Sequence, residues 1–249
     1  MLRFLRKTLR AVGLDVVRYA PEPEKFPTDA TADEIEILKS IEGFTMTGLA
    51  RQISLIRITK YLAEIQLSGS FVECGVWRGG SSMAIALALL QSGDSERDLY
   101  LYDTYEGMTP PTDADKIADG TSAVDLLKNP LHEVTAKCIA DLNDVRINMN
   151  STKYPQEKMH FVKGPVEQTI PEHSPKGKIA LLRLDTDWYE STRHELEYLF
   201  PMLQEGGVMI LDDYGHWEGA RLAVDEYLAI QSKRYFLHRI DYSGRLLVK

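Results

Sequence analysis

Cysteine is scarce in this chain, which has only Cys74 and Cys138 among its 249 residues. Two thiols are too few for a disulfide framework or for a zinc site built from four cysteines. A single disulfide is the most that this count permits, and two reduced thiols are what a cytoplasmic protein ordinarily carries. We therefore expect a cytoplasmic protein with no network of cross-links.

Long apolar runs are also missing, because no segment reaches the roughly 18 uninterrupted apolar residues that cross a bilayer. Basic residues are not in excess either: 29 Lys and Arg stand against 37 Asp and Glu, so the net charge is -8. An acidic chain is poorly suited to bind nucleic acid through its phosphates, whereas it suits metal ions. The composition, with 44% hydrophobic and 27% charged residues, is that of a globular protein.

The first twenty residues are rich in arginine and lysine, and leucine and valine recur among them at helical spacing. This pattern predicts a basic amphipathic helix and lacks the apolar core of a secretory signal. Such a helix would lie on an anionic membrane surface or on a partner protein. Alternatively, it would pack on its own domain or on a second subunit, and this alternative is favoured. Residues 21–31 are polar and contain proline, which predicts a linker. We therefore divide the chain into residues 1–31 and a domain at residues 32–249.

Apolar segments of strand length alternate with helical patterns through the rest of the chain. The first five apolar runs are typical of a parallel sheet covered by helices on both faces, which is a Rossmann-like α/β fold. The last two runs are separated only by a turn, so they predict an antiparallel hairpin. This order is typical of S-adenosylmethionine-dependent methyltransferases, whereas the nicotinamide fold has six parallel strands. The seven runs lie at 71–76, 98–103, 158–163, 178–184, 207–212, 236–240 and 245–249, and the helical patterns at 32–42, 47–66, 81–91, within 122–144, 165–170, 191–204 and 217–230.

A glycine-rich turn, in the sequence FVECGVWRGGSS at residues 71–82, carries the first predicted strand into a helix. Glycines let the backbone approach a ligand, and their spacing differs from the G-x-G-x-x-G pattern of dinucleotide sites. The turn therefore suits the amino-acid end of S-adenosylmethionine better than a pyrophosphate. Glu73 would hold the ammonium group of this cofactor or order the turn, and a tight turn with no ligand is the alternative. The candidate cofactor residues here are Glu73, Gly75, Trp77, Gly79 and Ser81.

Asp103 ends the second predicted strand, and the loop that follows it is long and acidic. A carboxylate at this point can accept hydrogen bonds from both ribose hydroxyls of a nucleoside, or it can cap the following loop. Together with the glycine-rich turn, it favours a ligand that contains adenosine. The loop from residue 106 to about residue 121 lies above the carboxyl edge of the predicted sheet, which predicts a lid.

Two pairs of acidic residues follow the fourth and fifth predicted strands: Asp185 with Asp187, and Asp212 with Asp213. Because these strands should be neighbours, the four carboxylates would meet at one rim of the sheet. A divalent cation would relieve their repulsion, and an all-oxygen site selects magnesium, manganese or calcium over zinc. Helix N-caps, or salt bridges to Arg183 or Arg193, are the alternatives. Two adjacent acid pairs favour the metal site.

Histidines and tryptophans flank these motifs. His216 and His132 could contact the acceptor, but a surface or structurally bonded histidine is the favoured interpretation for both. Trp77, Trp188 and Trp217 either line the pocket or pack in the core, and the sequence does not separate the two.

The runs FVECGVWRGGSS, LYLYDTYEGM, LLRLDTDWYEST and GGVMILDDYGHWEGARLAVDEY resemble the macrocin O-methyltransferase (TylF/MycF-type) family, which methylates sugar hydroxyls in antibiotic biosynthesis. The resemblance extends from about residue 44 to the C-terminus. It implies a seven-stranded fold, S-adenosylmethionine as cofactor, a sugar or glycoside as acceptor, and a homo-oligomer formed through N-terminal helices. It also implies a magnesium ion held by Asp185, Asp212 and Asp213, with Asp187 or Asp185 as the catalytic base.

A mechanism follows from the chemistry of such an acceptor. A sugar hydroxyl is a weak nucleophile at neutral pH, and a coordinated cation lowers its pKa by stabilising the alkoxide. Asp187 or Asp185 would take the proton while the oxygen attacks the methyl carbon in line with the departing sulfur. Two other functions stay open: a non-catalytic membrane-surface or scaffold module that retains the fold, and a nicotinamide oxidoreductase, which the missing G-x-G-x-x-G pattern disfavours.

Overall fold

Seven strands form one sheet in the computed structural model, which describes residues 26–128 and 138–249. The basic helix predicted at residues 1–20 and His132 lie outside the described residues. Within the part of the chain that is described, no helix is both long and apolar enough to span a bilayer. The strands are β1 (Ser70–Cys74), β2 (Leu99–Asp103), β3 (Met159–Lys163), β4 (Ile179–Leu184), β5 (Leu203–Leu211), β6 (His238–Arg239) and β7 (Arg245–Val248).

The spatial order of the sheet is β3-β2-β1-β4-β5-β7-β6. Strands β1 to β5 pair in parallel, whereas β7 runs antiparallel to both β5 and β6. The predicted seven-stranded sheet with its C-terminal antiparallel hairpin is therefore confirmed. The strand order changes direction between β1 and β4, and a crevice opens at the carboxyl ends of the strands at such a point.

The helices follow the predicted pattern except in two places. The pattern within 122–144 does not extend past residue 144, but the structure has a helix over Leu142–Ser151. The pattern predicts a helix over 191–204, but the helix ends at Leu199 and a 3-10 turn follows at Phe200–Met202. Pro201 explains this, because it has no N–H to donate to the carbonyl four residues earlier in the helix. Strand β5 consequently begins at Leu203 rather than at 207. The helices are α1 (Ala32–Ser40), α2 (Leu49–Glu64), α3 (Gly80–Gln91), α4 (Ala123–Lys128), α5 (Leu142–Ser151), α6 (Val166–Thr169), α7 (Tyr189–Leu199) and α8 (Glu218–Ala229).

The central strands account for the core of the compact unit that residues 32–249 form. Every residue of β1 and of β4 is buried, which is what strands covered by helices on both faces require. Val72, Leu182 and Met209 are fully enclosed in the hydrophobic cluster around these strands. No disulfide joins Cys74, which lies in β1, to Cys138. Burial of the strands fixes their carboxyl ends, from which the acidic residues project.

Candidate active site

A cavity of about 440 Å³ opens at the carboxyl ends of the parallel strands. Its volume lies within the range of small-molecule sites, roughly 300–1,000 Å³. Of the candidate cofactor, metal and catalytic residues, only Gly79 is absent from its walls; that glycine has φ +90° and caps the start of α3. The predicted residues that line the cavity are Glu73, Gly75, Trp77, Ser81, Asp103, Asp185, Asp187, Asp212 and Asp213.

Gly75 joins the two motif regions directly. It has φ +84°, and a Cβ at this position would lie 1.9 Å from the carbonyl oxygen of Asp185. The N–H of Asp185 in turn donates to the carbonyl of Cys74 at 2.9 Å. Position 75 therefore requires glycine because the end of β4 lies against it. The sequence analysis instead attributes this glycine to the approach of a ligand.

Glu73 is buried, and its carboxylate contacts other parts of the protein. It accepts hydrogen bonds from the Ser82 hydroxyl and from Nη1 of Arg183, the latter at 2.6 Å. Burial raises the pKa of the Glu73 carboxyl, although the charge of Arg183 opposes the rise. The sequence leaves two roles open for Glu73, holding the cofactor's ammonium group or ordering the glycine-rich turn. These contacts match the second role, and they also order the start of α3.

Asp103 connects the turn after β1 to the loop after β2. One carboxylate oxygen accepts the N–H groups of Val76 and Trp77 at 2.7 and 2.9 Å, and the other accepts the N–H of Tyr105 at 2.7 Å. These bonds correspond to the capping alternative. Because the side chain also lines the cavity, the cap places a carboxylate beside any nucleoside bound there.

Asp185, Asp212 and Asp213 form a cluster in which one ligand atom from each lies within 4.8 Å of the others. The pairing of β4 with β5 brings these acids together, as their positions at neighbouring strand ends predict. The helix-cap alternative is not realised, because the N-cap residues of α7 and α8 are Trp188 and Trp217 rather than Asp187 and Asp213. Arg193 does not approach the cluster but pairs with Glu197 on its own helix at 3.0 Å.

Two arginines neutralise part of this acid cluster. Arg183 of β4 is buried and contacts Asp185 and Asp212, each at 2.7 Å. Arg51 of α2 contacts the other oxygen of Asp212 through Nη1 and Asp241 through Nε, the latter at 3.0 Å. The sequence suggests the Arg183 pair as an alternative to a metal, but it offers no signal for Arg51, which is 161 residues away from Asp212.

Asp187 and Asp213 have no guanidinium partner among the described residues. Asp187 adopts φ +68°, its N–H donates to Asp213 at 3.2 Å, and its carboxylate accepts Nε1–H of Trp217 at 2.7 Å. Burial, followed by the charge of Asp185, raises the pKa of Asp187 to about 7. Burial and the charge of Asp187 also raise the pKa of Asp213 well above its ordinary value. This side of the cavity therefore holds more carboxyl groups than cationic partners.

The loop predicted as a lid is anchored at its far end. Asp115 is fully buried and accepts the N–H of Tyr189, the first residue of α7, at 2.8 Å. The carbonyl of Lys116 accepts the N–H of Glu218 at the start of α8, also at 2.8 Å. Only residues 107–109 of this loop reach the cavity wall. The sequence does not predict this role of Asp115, because no local pattern indicates that it accepts the first N–H of a helix 74 residues later.

Aromatic residues complete the surroundings of the acids. Trp77 lines the cavity, whereas Trp188 and Trp217 are absent from its walls and pack edge to face with centroids 5.0 Å apart. His216 and Tyr242 line the wall beside Asp213, and burial lowers the pKa of His216.

Comparison with known proteins places this arrangement in a family context. The model of the macrocin O-methyltransferase family, TylF, matches residues 22–249. The chain is 37% identical over 183 residues to a tetracenomycin rhamnosyl 4'-O-methyltransferase of Streptomyces olivaceus, covering 74% of this chain and 67% of the relative. It is 29% identical over 186 residues to mycinamicin III 3''-O-methyltransferase of Micromonospora griseorubida, covering 74% and 69%. The solved structure of the O-methyltransferase NovP superposes with a TM-score of 0.72 at 24% identity, covering 100% of this chain and 97% of that one.

Proposed function

Because this chain belongs to the macrocin O-methyltransferase (TylF) family and is an S-adenosylmethionine-dependent O-methyltransferase, we propose that it methylates a sugar hydroxyl with the help of a divalent metal ion. The acceptor would be a sugar or a glycosylated small molecule, as the name of the relative from Streptomyces olivaceus, which includes a rhamnosyl group, states for that protein. The observation that carries the proposal is one cavity with the glycine-rich turn on one side and three clustered carboxylates on the other.

The cofactor would lie along the glycine-rich turn and across the end of β2. S-adenosylmethionine supplies a methyl group bonded to a positively charged sulfur. We propose that Trp77 and Ser81 surround its amino-acid end, with Gly75 and Gly79 shaping the turn and Glu73 ordering it from below through Ser82 and Arg183. Asp103, which is held by three backbone N–H groups, would face the ribose with its remaining acceptor capacity.

The acid cluster fits a magnesium ion in its chemistry. Asp185, Asp212 and Asp213 offer oxygen ligands alone, which is the donor set that magnesium prefers. The raised pKa values of Asp185 and Asp213 reflect burial and repulsion between neighbouring carboxylates, and a cation would relieve this repulsion. A bound magnesium ion would lower the pKa of the acceptor hydroxyl.

Asp187 is the favoured base. Its carboxylate has no cationic partner among the described residues, whereas Asp185 is paired with Arg183 at 2.7 Å. The Trp217 indole N–H binds one oxygen of Asp187. We propose that the carboxylate takes the proton of an acceptor hydroxyl through its other oxygen. A pKa of about 7 is also close to the value that suits a general base at neutral pH.

A direct test is methyl transfer from isotopically labelled S-adenosylmethionine to a panel of glycosides in the presence of magnesium, followed by mass spectrometry. We expect the label on a sugar hydroxyl, and we expect Asp187→Asn to lose transfer while it still binds the cofactor. Asp225→Asn is the matched control, since Asp225 is a surface acid that bonds to Tyr214. Cofactor binding without transfer to any glycoside, in a panel that includes the substrates of the relatives, would contradict the proposed acceptor class.

Several expectations from the sequence concern properties other than the fold and the cavity. Homo-oligomer formation through N-terminal helices and membrane contact through residues 1–20 remain predictions. The same holds for a cytoplasmic location and for the division of the chain into residues 1–31 and 32–249.

A further inference from the structure

Arg51 connects the acid cluster to the C-terminal hairpin. Its Nη1 contacts Asp212 Oδ2 and the carbonyl of Asp212, the latter at 3.3 Å, while its Nε lies 3.0 Å from Asp241 Oδ2. A Cβ added to Gly244 would lie 2.6 Å from Arg51 Cδ, so the aliphatic part of the side chain passes directly over the hairpin turn. One guanidinium thus holds one carboxylate of the cluster and one carboxylate outside it.

The two arginines of the site differ in how easily they can move. Arg183 projects from the buried strand β4, is 2% exposed, and contacts Glu73, Asp185 and Asp212 at once. The Arg51 side chain is 17% exposed and extends from helix α2 at the cavity wall. If Arg51 left Asp212, it would keep a carboxylate partner in Asp241, whereas Arg183 has no such partner on the hairpin.

Asp212 cannot bind a divalent cation and Arg51 equally well at the same time. Its Oδ1 accepts from Arg183 and its Oδ2 from Arg51, so each oxygen already binds a guanidinium N–H. A divalent cation on Asp212 would stand next to the positive charge of Arg51, and the two would repel each other in an enclosed site.

We propose that Arg51 competes with the divalent cation for Asp212, holding that carboxylate in the metal-free protein and moving its hydrogen bonds onto Asp241 when a cation binds. This inference rests on the metal site of the proposed function. Asp241 also orders the hairpin turn, because its Oδ1 accepts the N–H groups of Ser243 and Gly244 at 3.0 and 2.7 Å. Tyr242 and Ser243 of this turn line the cavity, so metal binding would be linked to the wall that faces the acceptor.

The test measures Mg²⁺ binding to the full chain by calorimetry, with Mn²⁺ binding by electron paramagnetic resonance as a second probe. We expect Arg51→Met to bind either ion about tenfold more tightly or better, since it removes a charge-assisted contact to a metal ligand. Arg57→Met is the matched control, because Arg57 lies on the same helix and pairs with Glu34 instead. The gain should persist in about 1 M KCl, where long-range charge effects are screened.

A double-mutant cycle tests the exchange of partners. Asp241→Asn should weaken metal binding when Arg51 is present, because Arg51 then lacks its second carboxylate, and it should have little effect in the Arg51→Met background. If Arg51→Met does not fold, Arg51→Lys replaces it; its single ammonium cannot bridge both carboxylates, so we expect a smaller gain in the same direction.

Different failures have different meanings. Metal binding by the wild type that Arg51→Met does not improve beyond Arg57→Met, or an effect of Asp241→Asn that is equal in both backgrounds, would overturn this inference and leave the metal site standing. No binding of either ion by the wild type or by Arg51→Met would overturn the metal site as well. Binding that appears only in Arg51→Met would support the competition strongly.

Discussion

Gly75 has a structural role that can be separated from ligand binding. Its backbone passes so close to the carbonyl of Asp185 that any side chain would push the β1 turn away from the end of β4. That contact keeps the glycine-rich turn and the acid cluster in one cavity. A substitution should therefore damage the protein before any cofactor is added.

We predict that Gly75→Ala lowers the free energy of unfolding of the cofactor-free protein by more than about 3 kcal/mol. Gly93→Ala is the matched control: Gly93 also has a positive φ, +75°, but no atom lies within 4 Å of an added Cβ. It should cost only about 1–2 kcal/mol, which is the cost of left-handed backbone alone. Urea unfolding measures both values, and equal losses would mean that the approach to Asp185 is unimportant.

Glu195 supports the acid cluster from the core. It is fully buried in α7, and its Oε1 accepts the hydroxyl of Thr186, the residue between Asp185 and Asp187, at 3.0 Å. Burial raises the pKa of the Glu195 carboxyl well above its ordinary value, so the folded protein holds this proton to a higher pH than the unfolded chain does.

This raised pKa predicts a pH dependence of stability. Above about pH 4.3 the unfolded chain loses the Glu195 proton while the folded protein retains it, so this group makes unfolding easier as the pH rises. Glu195→Gln cannot ionise, and its stability relative to the wild type should increase as the pH rises above about 4.3. Glu197→Gln, exposed on the same helix, is the control. Parallel stability curves for wild type and Glu195→Gln from chemical unfolding would refute the assignment.

The loop at residues 106–121 combines a cavity-facing end with an anchored end. Asp115 packs against the first turns of both α7 and α8, since it accepts the N–H of Tyr189 and lies where a Cβ on Gly219 would be only 2.1 Å away. Closure over the cavity is therefore expected in residues 106–111, while the rest of the loop stays docked on the helices.

We predict that Asp115→Ala destabilises the protein by about 2–4 kcal/mol, because it leaves a helix-start N–H and the Thr112 N–H without a buried acceptor. Amide hydrogen exchange should accelerate in residues 107–122 and at the start of α7. Asp113→Ala, at an exposed position two residues earlier, should change neither quantity. Unchanged exchange in the loop of Asp115→Ala would show that the anchor lies elsewhere.

The basic N-terminal helix is a prediction from sequence that deletion can test. If its apolar face forms a subunit interface, removing residues 1–20 should shift the protein toward the monomer in light scattering at every salt concentration. If its cationic face binds membranes, the deletion should instead abolish sedimentation with anionic vesicles, and binding by the intact chain should weaken as salt is added. An unchanged mass together with lost vesicle binding would reverse our preference for the interface.

Charge distribution gives the molecule a chemically divided cavity. Acidic side chains outnumber their cationic partners beside β4 and β5, whereas the turn after β1 lines the cavity with Gly75, Trp77 and Ser81. Cofactor binding and metal binding should therefore be separable in the whole enzyme.

We predict that exhaustive chelation abolishes turnover, because the acceptor hydroxyl then keeps its high pKa, while affinity for S-adenosylmethionine changes little. Initial rates before chelation, after it and after magnesium is restored would show the first effect, and calorimetry with the cofactor the second. Full turnover in the chelated enzyme would refute the metal-assisted mechanism.

Local pattern is enough to predict the sheet and the position of the candidate site. Buried parallel strands appear as apolar runs because both of their faces are covered, and the short link between 240 and 245 leaves room only for a hairpin. Acids that directly follow neighbouring parallel strands must meet at one edge, so the amino-acid sequence alone groups Asp185, Asp212 and Asp213.

The partners of these acids cannot be predicted in this way. Arg51, Glu195 and Asp115 reach the site from a helix before the sheet, a helix after β4 and a loop after β2, and their contacts depend on how those segments pack. Periodicity reports which face of a segment is buried, but it does not report which distant side chain meets that face. Long-range packing therefore sets the raised pKa of Glu195, the pairing of Asp212 and the close approach that requires a glycine at position 75.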